Sequence, residues 1–332
     1  MGITVSACRQ VQPLVGFPGG LSTDLFLPRH RKEKVVVVIG ATGTGKSKLS
    51  IDLATRFPAE IVNSDKIQVY KGLDILTNKV TEDECHGVPH YLLGIADPNA
   101  DFTAVDFRRH ALLAVDSIIR RGHLPIIAGG SNSYIKALVH DDPEFRSKYQ
   151  CCFLWVDVAL PVLYSFVSER VDRMVEAGLV DEVRQIFDST ADYTRGIRRA
   201  IGVPELDQFL RTESRVDNKA KTRLLNEAIK NIKWNTRELA RRQLNKILTF
   251  QSQLKWKMHR LDATEAFQKR GGTADDAWEE LVVGPSVTIV DRFLYGGEDH
   301  MTSIPVSTDI PAAASALGNR PTASPAIVTA TL

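Results

Sequence analysis

Gly40, Ala41, Thr42, Gly43, Thr44, Gly45, Lys46 and Ser47 fit the spacing G-x-x-x-x-G-K-[ST]. In such a run the glycines let the backbone curl until several N–H groups point inward. The start of the following helix adds partial positive charge, and Lys46 adds a full one. The Ser47 hydroxyl can meet a Mg²⁺ ion that bridges phosphates. The run therefore reads as a cradle for a phosphate or diphosphate. It does not say whose phosphates they are. A nucleoside triphosphate fits, and so does a diphosphate that departs during group transfer.

A second polar turn holds Asn63, Ser64, Asp65, Lys66 and Gln68. A carboxylate beside a phosphate cradle can accept a proton or help hold Mg²⁺. The plainer role for Asp65 is to cap a following helix. A third turn carries Gly129 and Gly130, then Ser131 and Asn132. His86 and His90 have the i, i+4 spacing of a metal pair, but Gly87 and Pro89 argue against the helix that spacing needs. His90 reads as structural. Arg170 and Arg173 read as a solvated helix face or an internal ion-pair set.

These turns need a frame. Residues 35–39 form a β-branched run closed by Gly40, the pattern of a strand buried on both faces. Residues 48–57 have helical periodicity, ended by Pro58. Short apolar runs at 61–62, 91–93, 124–128 and 153–158 read as further strands, with 257–263 as a last one. Residues 104–121 read as a helix with Thr103 as N-cap, Asp106 three residues on, and Gly122 as the stop. Strands alternating with helices give an α/β fold, a P-loop NTPase-like doubly wound parallel sheet. Ligands of such sheets sit at the carboxyl ends of the strands. The three turns all follow strands, so they are expected to share one rim. Beyond residue 160 the chain becomes helical. Residues 162–187 are amphipathic with a break at Gly178, and 219–250 form one long helix.

Hydrophobic residues make up 43% of the 332, ordinary for a chain that buries a large core. The formal net charge of +2 gives no bulk pull toward nucleic acid or membranes. No apolar run is long enough for a transmembrane helix. The 4 cysteines, Cys8, Cys85, Cys151 and Cys152, lack a C-x-x-C pair, so zinc ribbons and dithiol redox sites have no support. Adjacent Cys151 and Cys152 read as buried strand in a reducing compartment. Residues 1–33 hold Pro13, Pro18, Pro28, Arg9, Arg29 and Arg31 with few acids, a composition that suits an organellar transit peptide. Plastid is the favoured destination, with the cytoplasm as the alternative. Residues 301–332, rich in Ala, Pro, Ser and Thr, read as a disordered tail. The domain between is set at 34–300, with a helical substrate-covering part over about 160–250.

Taken in order, the motifs resemble those of the isopentenyltransferases. The set comprises the phosphate loop, residues 63–70, 88–93, 102–107 and 129–134, Arg170 to Met174, Gly178-Leu179, 196–202 and 236–243. The resemblance spans about residues 34–263. It is nearest to the plant adenylate isopentenyltransferases, which make cytokinin precursors. The transfer-RNA dimethylallyltransferases are relatives. The resemblance implies transfer of a dimethylallyl group to N6 of adenine, with the loop holding the diphosphate of dimethylallyl diphosphate. It implies that Asp65 accepts the N6 proton and Thr42 hydrogen-bonds the bridging oxygen. Lys46, Ser47 and Mg²⁺ would hold the diphosphate, and Arg198 would clamp it from the other side. Asn63, Ser64, Gln68, Ser131 and Asn132 would line the nucleotide. Lys219 and Lys221, on an otherwise solvated basic face, would reach the acceptor's phosphates. Lys66 stands where the transfer-RNA enzymes usually have Ser, the stretch 131–151 lacks their long insertion, and no Cys/His finger follows. These departures favour AMP, ADP or ATP as acceptor over transfer RNA. A kinase that binds ATP in the loop is the competing enzyme, and a P-loop switch the competing binding module. A monomer acting on these two substrates is expected.

Overall fold

The computed structural model describes residues 32–190 and 192–296. Nearly all of the leader and the whole tail read above lie outside them. In chain order the elements are β1 (Glu33–Ile39), α1 (Lys46–Ala54), β2 (Ala59–Asn63), α2 (Glu82–Cys85), β3 (His90–Tyr91), α3 (Ala104–Arg120) and β4 (Leu124–Ala128). Next come α4 (Asn132–Val139), α5 (Pro143–Lys148), β5 (Tyr149–Asp157), α6 (Leu160–Glu176), α7 (Leu179–Gln185), α8 (Val203–Thr212) and α9 (Asn218–Gln253). The described chain ends with β6 (Met258–Asp262), α10 (Thr264–Gln268), α11 (Gly272–Trp278) and α12 (Gly284–Tyr295).

The strands form one sheet in the order β3-β2-β4-β1-β5-β6. Every pairing is parallel. The apolar run of β1 explains its central place. Val35, Val37 and Ile39 enter one apolar cluster and Val36 and Val38 the other, so both faces are covered. One cluster takes in Phe107 of α3, Ile135 of α4 and Ile232 of α9. The opposite cluster takes in Leu49 of α1, Val167 of α6 and Trp278 of α11.

Local chemistry sets the helix ends where it was read. The Thr103 side chain accepts from the Asp106 backbone N–H while the Asp106 carboxylate accepts from the Thr103 N–H, a reciprocal capping box. Gly178, at φ 103°, separates α6 from α7 at the expected break. Asp217 caps α9 by accepting from Ala220 N. Helix α1 starts two residues earlier than its apolar periodicity suggested, because the loop itself leads into its first turn. Helices α10, α11 and α12 had no counterpart in the periodicity. Each is short or interrupted, and a π-helical turn at Glu279–Val283 joins the last two. No helix among the described residues is long and apolar enough to cross a membrane.

Candidate active site

The carboxyl ends of β1, β4 and β2 open on a cleft of about 2000 Å³. Strand β4 lies between β1 and β2 in the sheet. Asp65 therefore faces the phosphate loop across the Gly129–Gly130 turn, not directly from the neighbouring strand. The double glycine permits this. A Cβ on Gly129 would stand 2.4 Å from Ser64 Oγ, and one on Gly130 would stand 2.6 Å from Gln243 Nε2.

Within the loop, Lys46 Nζ donates to Ala41 O at 2.6 Å, as does Thr44 Oγ1 at 3.0 Å. Gly40 makes room, since a Cβ there would meet Val156 O at 2.5 Å. Gly45 sits at φ 91° under the indole of Trp278, which a Cβ would meet at 2.5 Å. That indole is anchored by its N–H to Asp52 Oδ2 at 2.8 Å, and Lys48 Nζ lies 5.2 Å from its ring centroid. Helix α11 thus roofs the loop where α1 begins. Ser47 is exposed and lines the cleft.

Thr42 is held from two sides. Its N–H donates to Gln243 Oε1 of α9 at 2.7 Å, and its Oγ1 accepts from Arg170 Nη2 of α6 at 3.2 Å. Arg170 thus turns toward the loop, and among the described residues it makes no ion pair. It is half-buried against the loop, and among the described residues its buried Nε has no hydrogen-bond partner. Burial pulls its pKa down to about 10, the charge of Arg173 pulls the same way, and Asp65 opposes both. Burial likewise pulls Lys46 down to about 8, with Asp65 opposing and Arg170 adding to the fall. Two desolvated cations beside the N-terminus of α1, which no side chain caps, make a site that gains from a polyanion.

Asp65 closes its turn with one carboxylate oxygen and lines the cleft. Its Oδ1 accepts from Ile67 N at 2.8 Å and Gln68 N at 3.3 Å, which closes the turn. Among the described residues Oδ2 has no such donor, and Asp65 lines the cleft. Asn63 and Gln68 line it too. Asn63 donates to Leu92 O at 3.1 Å, while Gln68 Nε2 donates to Thr77 O and Asn78 O, each at 3.0 Å.

Several expected residues are placed elsewhere. Ser64 is fully buried behind Gly129. Ser131 Oγ accepts from Lys66 N at 2.8 Å, and Asn132 Nδ2 donates to the Gln243 backbone O at 2.9 Å, so both brace the third turn from behind. Arg198 points away from the cleft and donates to the Asn99 side chain. The 3₁₀ turn Gly196–Arg199 directs Arg199 into the cleft instead, where Nη2 donates to Tyr70 Oη at 3.0 Å. Lys219 and Lys221 sit in the first turn of α9, with Lys221 Nζ 3.9 Å from Glu213. The part of α9 that lines the cleft begins at Ile232, about 20 Å along the axis from Lys219, and includes Thr236. Neither lysine reaches the cleft. His90 is structural, its Nδ1 2.8 Å from Val88 O, and burial lowers its pKa.

Comparison with known proteins gives the same frame. The family model described as IPP transferase matches residues 68–147 and 140–247. Adenylate isopentenyltransferase 5, chloroplastic, of Arabidopsis thaliana is 63% identical over 302 residues, covering 89% of this chain and 91% of that one. Adenylate isopentenyltransferase 7, mitochondrial, of the same plant is 56% identical, covering 88% and 90%. Its tRNA dimethylallyltransferase 2 is 31% identical, covering 80% and 81%. Among solved structures, a eukaryotic dimethylallyltransferase acting on tRNA superposes with a TM-score of 0.66 at 25% identity, covering 79% and 80%.

Proposed function

Since the chain belongs to the isopentenyltransferase family, we propose that it moves a dimethylallyl group from dimethylallyl diphosphate to N6 of a free adenine nucleotide, AMP, ADP or ATP. Diphosphate is the other product, and the reaction is the first step of cytokinin synthesis. One observation carries the reading. Thr42, Lys46 and Arg170 converge at the phosphate loop, and Asp65 faces them across the Gly129–Gly130 turn in one cleft.

The chemistry follows from that placement. As the C–O bond of the donor breaks, its electron pair stays on the bridging oxygen. The Thr42 hydroxyl, the Lys46 amine and the Arg170 guanidinium are preorganised for the charge that develops there. The N6 lone pair forms the new C–N bond. Asp65 Oδ2 takes the N6 proton, which offsets the poor nucleophilicity of an amine conjugated with its ring. Fixing both substrates in line removes much of the entropic barrier. Arg170 takes the clamping role that the resemblance gave to Arg198.

The donor set suits Mg²⁺. Among the described residues no three His, Cys, Asp or Glu side chains form a metal cage, whereas Ser47 offers a hydroxyl at the loop mouth. Mg²⁺ typically takes one or two protein oxygens plus substrate phosphates and water. Bound there, it would neutralise the departing diphosphate. The short β4–β5 connection, only α4 and α5, and the higher identity to adenylate enzymes support a free nucleotide over transfer RNA. Relatives named chloroplastic support the plastid as the site of action.

Mass spectrometry after incubation with Mg²⁺, dimethylallyl diphosphate and each nucleotide in turn tests this. A C5 adduct on the nucleotide is expected. Asp65→Asn keeps the Oδ1 cap yet loses the base, so turnover should fall about 10²–10⁴-fold with the melting curve unchanged. Modification of transfer RNA alone, or phosphoryl transfer from ATP, would overturn the reading.

A further inference from the structure

Gln243 lies on α9 with its amide between two of the three turns that build the cleft. Oε1 accepts from Thr42 N at 2.7 Å, and Nε2 donates to Gly130 O at 2.8 Å. The partners dictate the orientation of the amide, because a backbone N–H can only donate and a carbonyl can only accept. The backbone of Gln243 is pinned in turn, since its carbonyl accepts from Asn132 Nδ2 at 2.9 Å. Thr42 is the loop residue that Arg170 also holds. Gly130 adjoins Asp65, whose Oδ2 a Cβ on Gly130 would approach at 3.7 Å. One side chain thus joins the donor-binding loop to the turn behind the proton acceptor.

We infer that Gln243 is a positioning residue that sets the spacing between the loop and Asp65, and so the alignment of the diphosphate donor with the adenine amine. The inference rests on the prenyl-transfer reading. Gln243 touches neither reacting atom. It acts through Thr42 and Gly130, so its loss should appear in kcat more than in substrate affinity. Misplacement of reacting groups by about 1 Å costs on the order of 10²-fold in rate.

The amide's need for one acceptor and one donor supplies a specific test. In Gln243→Glu, a protonated carboxyl is isosteric and makes both bonds. A carboxylate keeps the Thr42 bond but faces the Gly130 carbonyl with a lone pair. Burial, that carbonyl and the Asp65 carboxylate beside Gly130 raise the carboxyl's pKa above its ordinary value of about 4.3, against the opposing charges of Arg170 and Lys46. The kcat of Gln243→Glu relative to wild type should therefore fall about tenfold or more from about pH 5.5 to about pH 8. Taking the ratio cancels the titration of groups common to both proteins. Gln243→Leu, which makes neither bond, should lose about 10²-fold in kcat with donor and acceptor KM within about threefold of wild type at every pH.

A flat Gln243→Glu ratio, or Gln243→Leu turning over at the wild-type rate, refutes the positioning role. If Gln243→Leu does not fold, the Gln243→Glu profile decides alone. Wild-type turnover is the control for the reading beneath: no nucleotide adduct from wild type sinks prenyl transfer, and the role of Gln243 with it. An adduct from wild type with a flat ratio sinks Gln243 only.

Discussion

Gly45→Ala places two separable strains on the phosphate loop. The residue holds φ 91°, where a Cβ crowds the following carbonyl. That costs about 1–2 kcal/mol. The new methyl also lies 2.5 Å from Trp278 Cη2 and 2.9 Å from Cζ3, so the ring must move. The ring is only 5% exposed, packed near Phe267 and tied to Asp52, so it has little room. Overpacking of this kind costs about 1–3 kcal/mol. The sum is a loss of about 2–5 kcal/mol in a urea melt. A double-mutant cycle separates the parts. Trp278→Leu alone should cost about 3 kcal/mol for the lost ring. In the Gly45→Ala background the clash is relieved, so the same change should cost about 1–2 kcal/mol less. Strict additivity would refute the claim that α11 presses on the loop, and a Gly45→Ala loss below about 0.5 kcal/mol would refute the backbone argument as well.

Two further outcomes test the electrostatics. Lys46 is charged below about pH 8, so affinity for inorganic diphosphate, followed by calorimetry, should fall as pH rises through that value. Lys46→Arg, which keeps its charge, should show no such fall. Stability runs the other way: an unfolded Lys46 holds more proton than the folded one between about 8 and 10.5, so the fold gains stability with rising pH in that window. Arg199→Ala should lower kcat/KM at least about tenfold, as loss of a charged contact in the cleft does, while Arg198→Ala changes it less than about twofold. The reverse ranking would show that the Gly196–Arg199 turn is oriented otherwise.

Sequence-local signals read well. The strands at 35–39 and 124–128, the Thr103 capping box, the Gly178 break and the phosphate loop each depend on residues within a few positions of one another. The placement of side chains in the cleft did not read as well, for a physical reason. Arg170 meets Thr42 across 128 positions, and Gln243 meets it across 201. A charged residue on an amphipathic helix looks solvated until the partner helix is known. Arg198 and Arg199 are adjacent, and only the pitch of a 3₁₀ turn decides which one enters the cleft. Lys219 and Lys221 carry the right charge on the right helix, but about 17–20 Å from the part that lines the site. The strand order mattered too. With β4 between β1 and β2, the glycine pair becomes the spacer between loop and carboxylate.

The roof over the phosphate loop also has a consequence in time. Asp52, in the helix that the loop opens, is joined to Trp278 across 226 positions. At about 5–20 residues per second of synthesis, the loop exists for roughly 10–45 s before its roofing ring is made. A nascent chain therefore carries the G-x-x-x-x-G-K-[ST] run without the helix that completes it. The cover of the loop is thus completed only when almost the last described helix has been made.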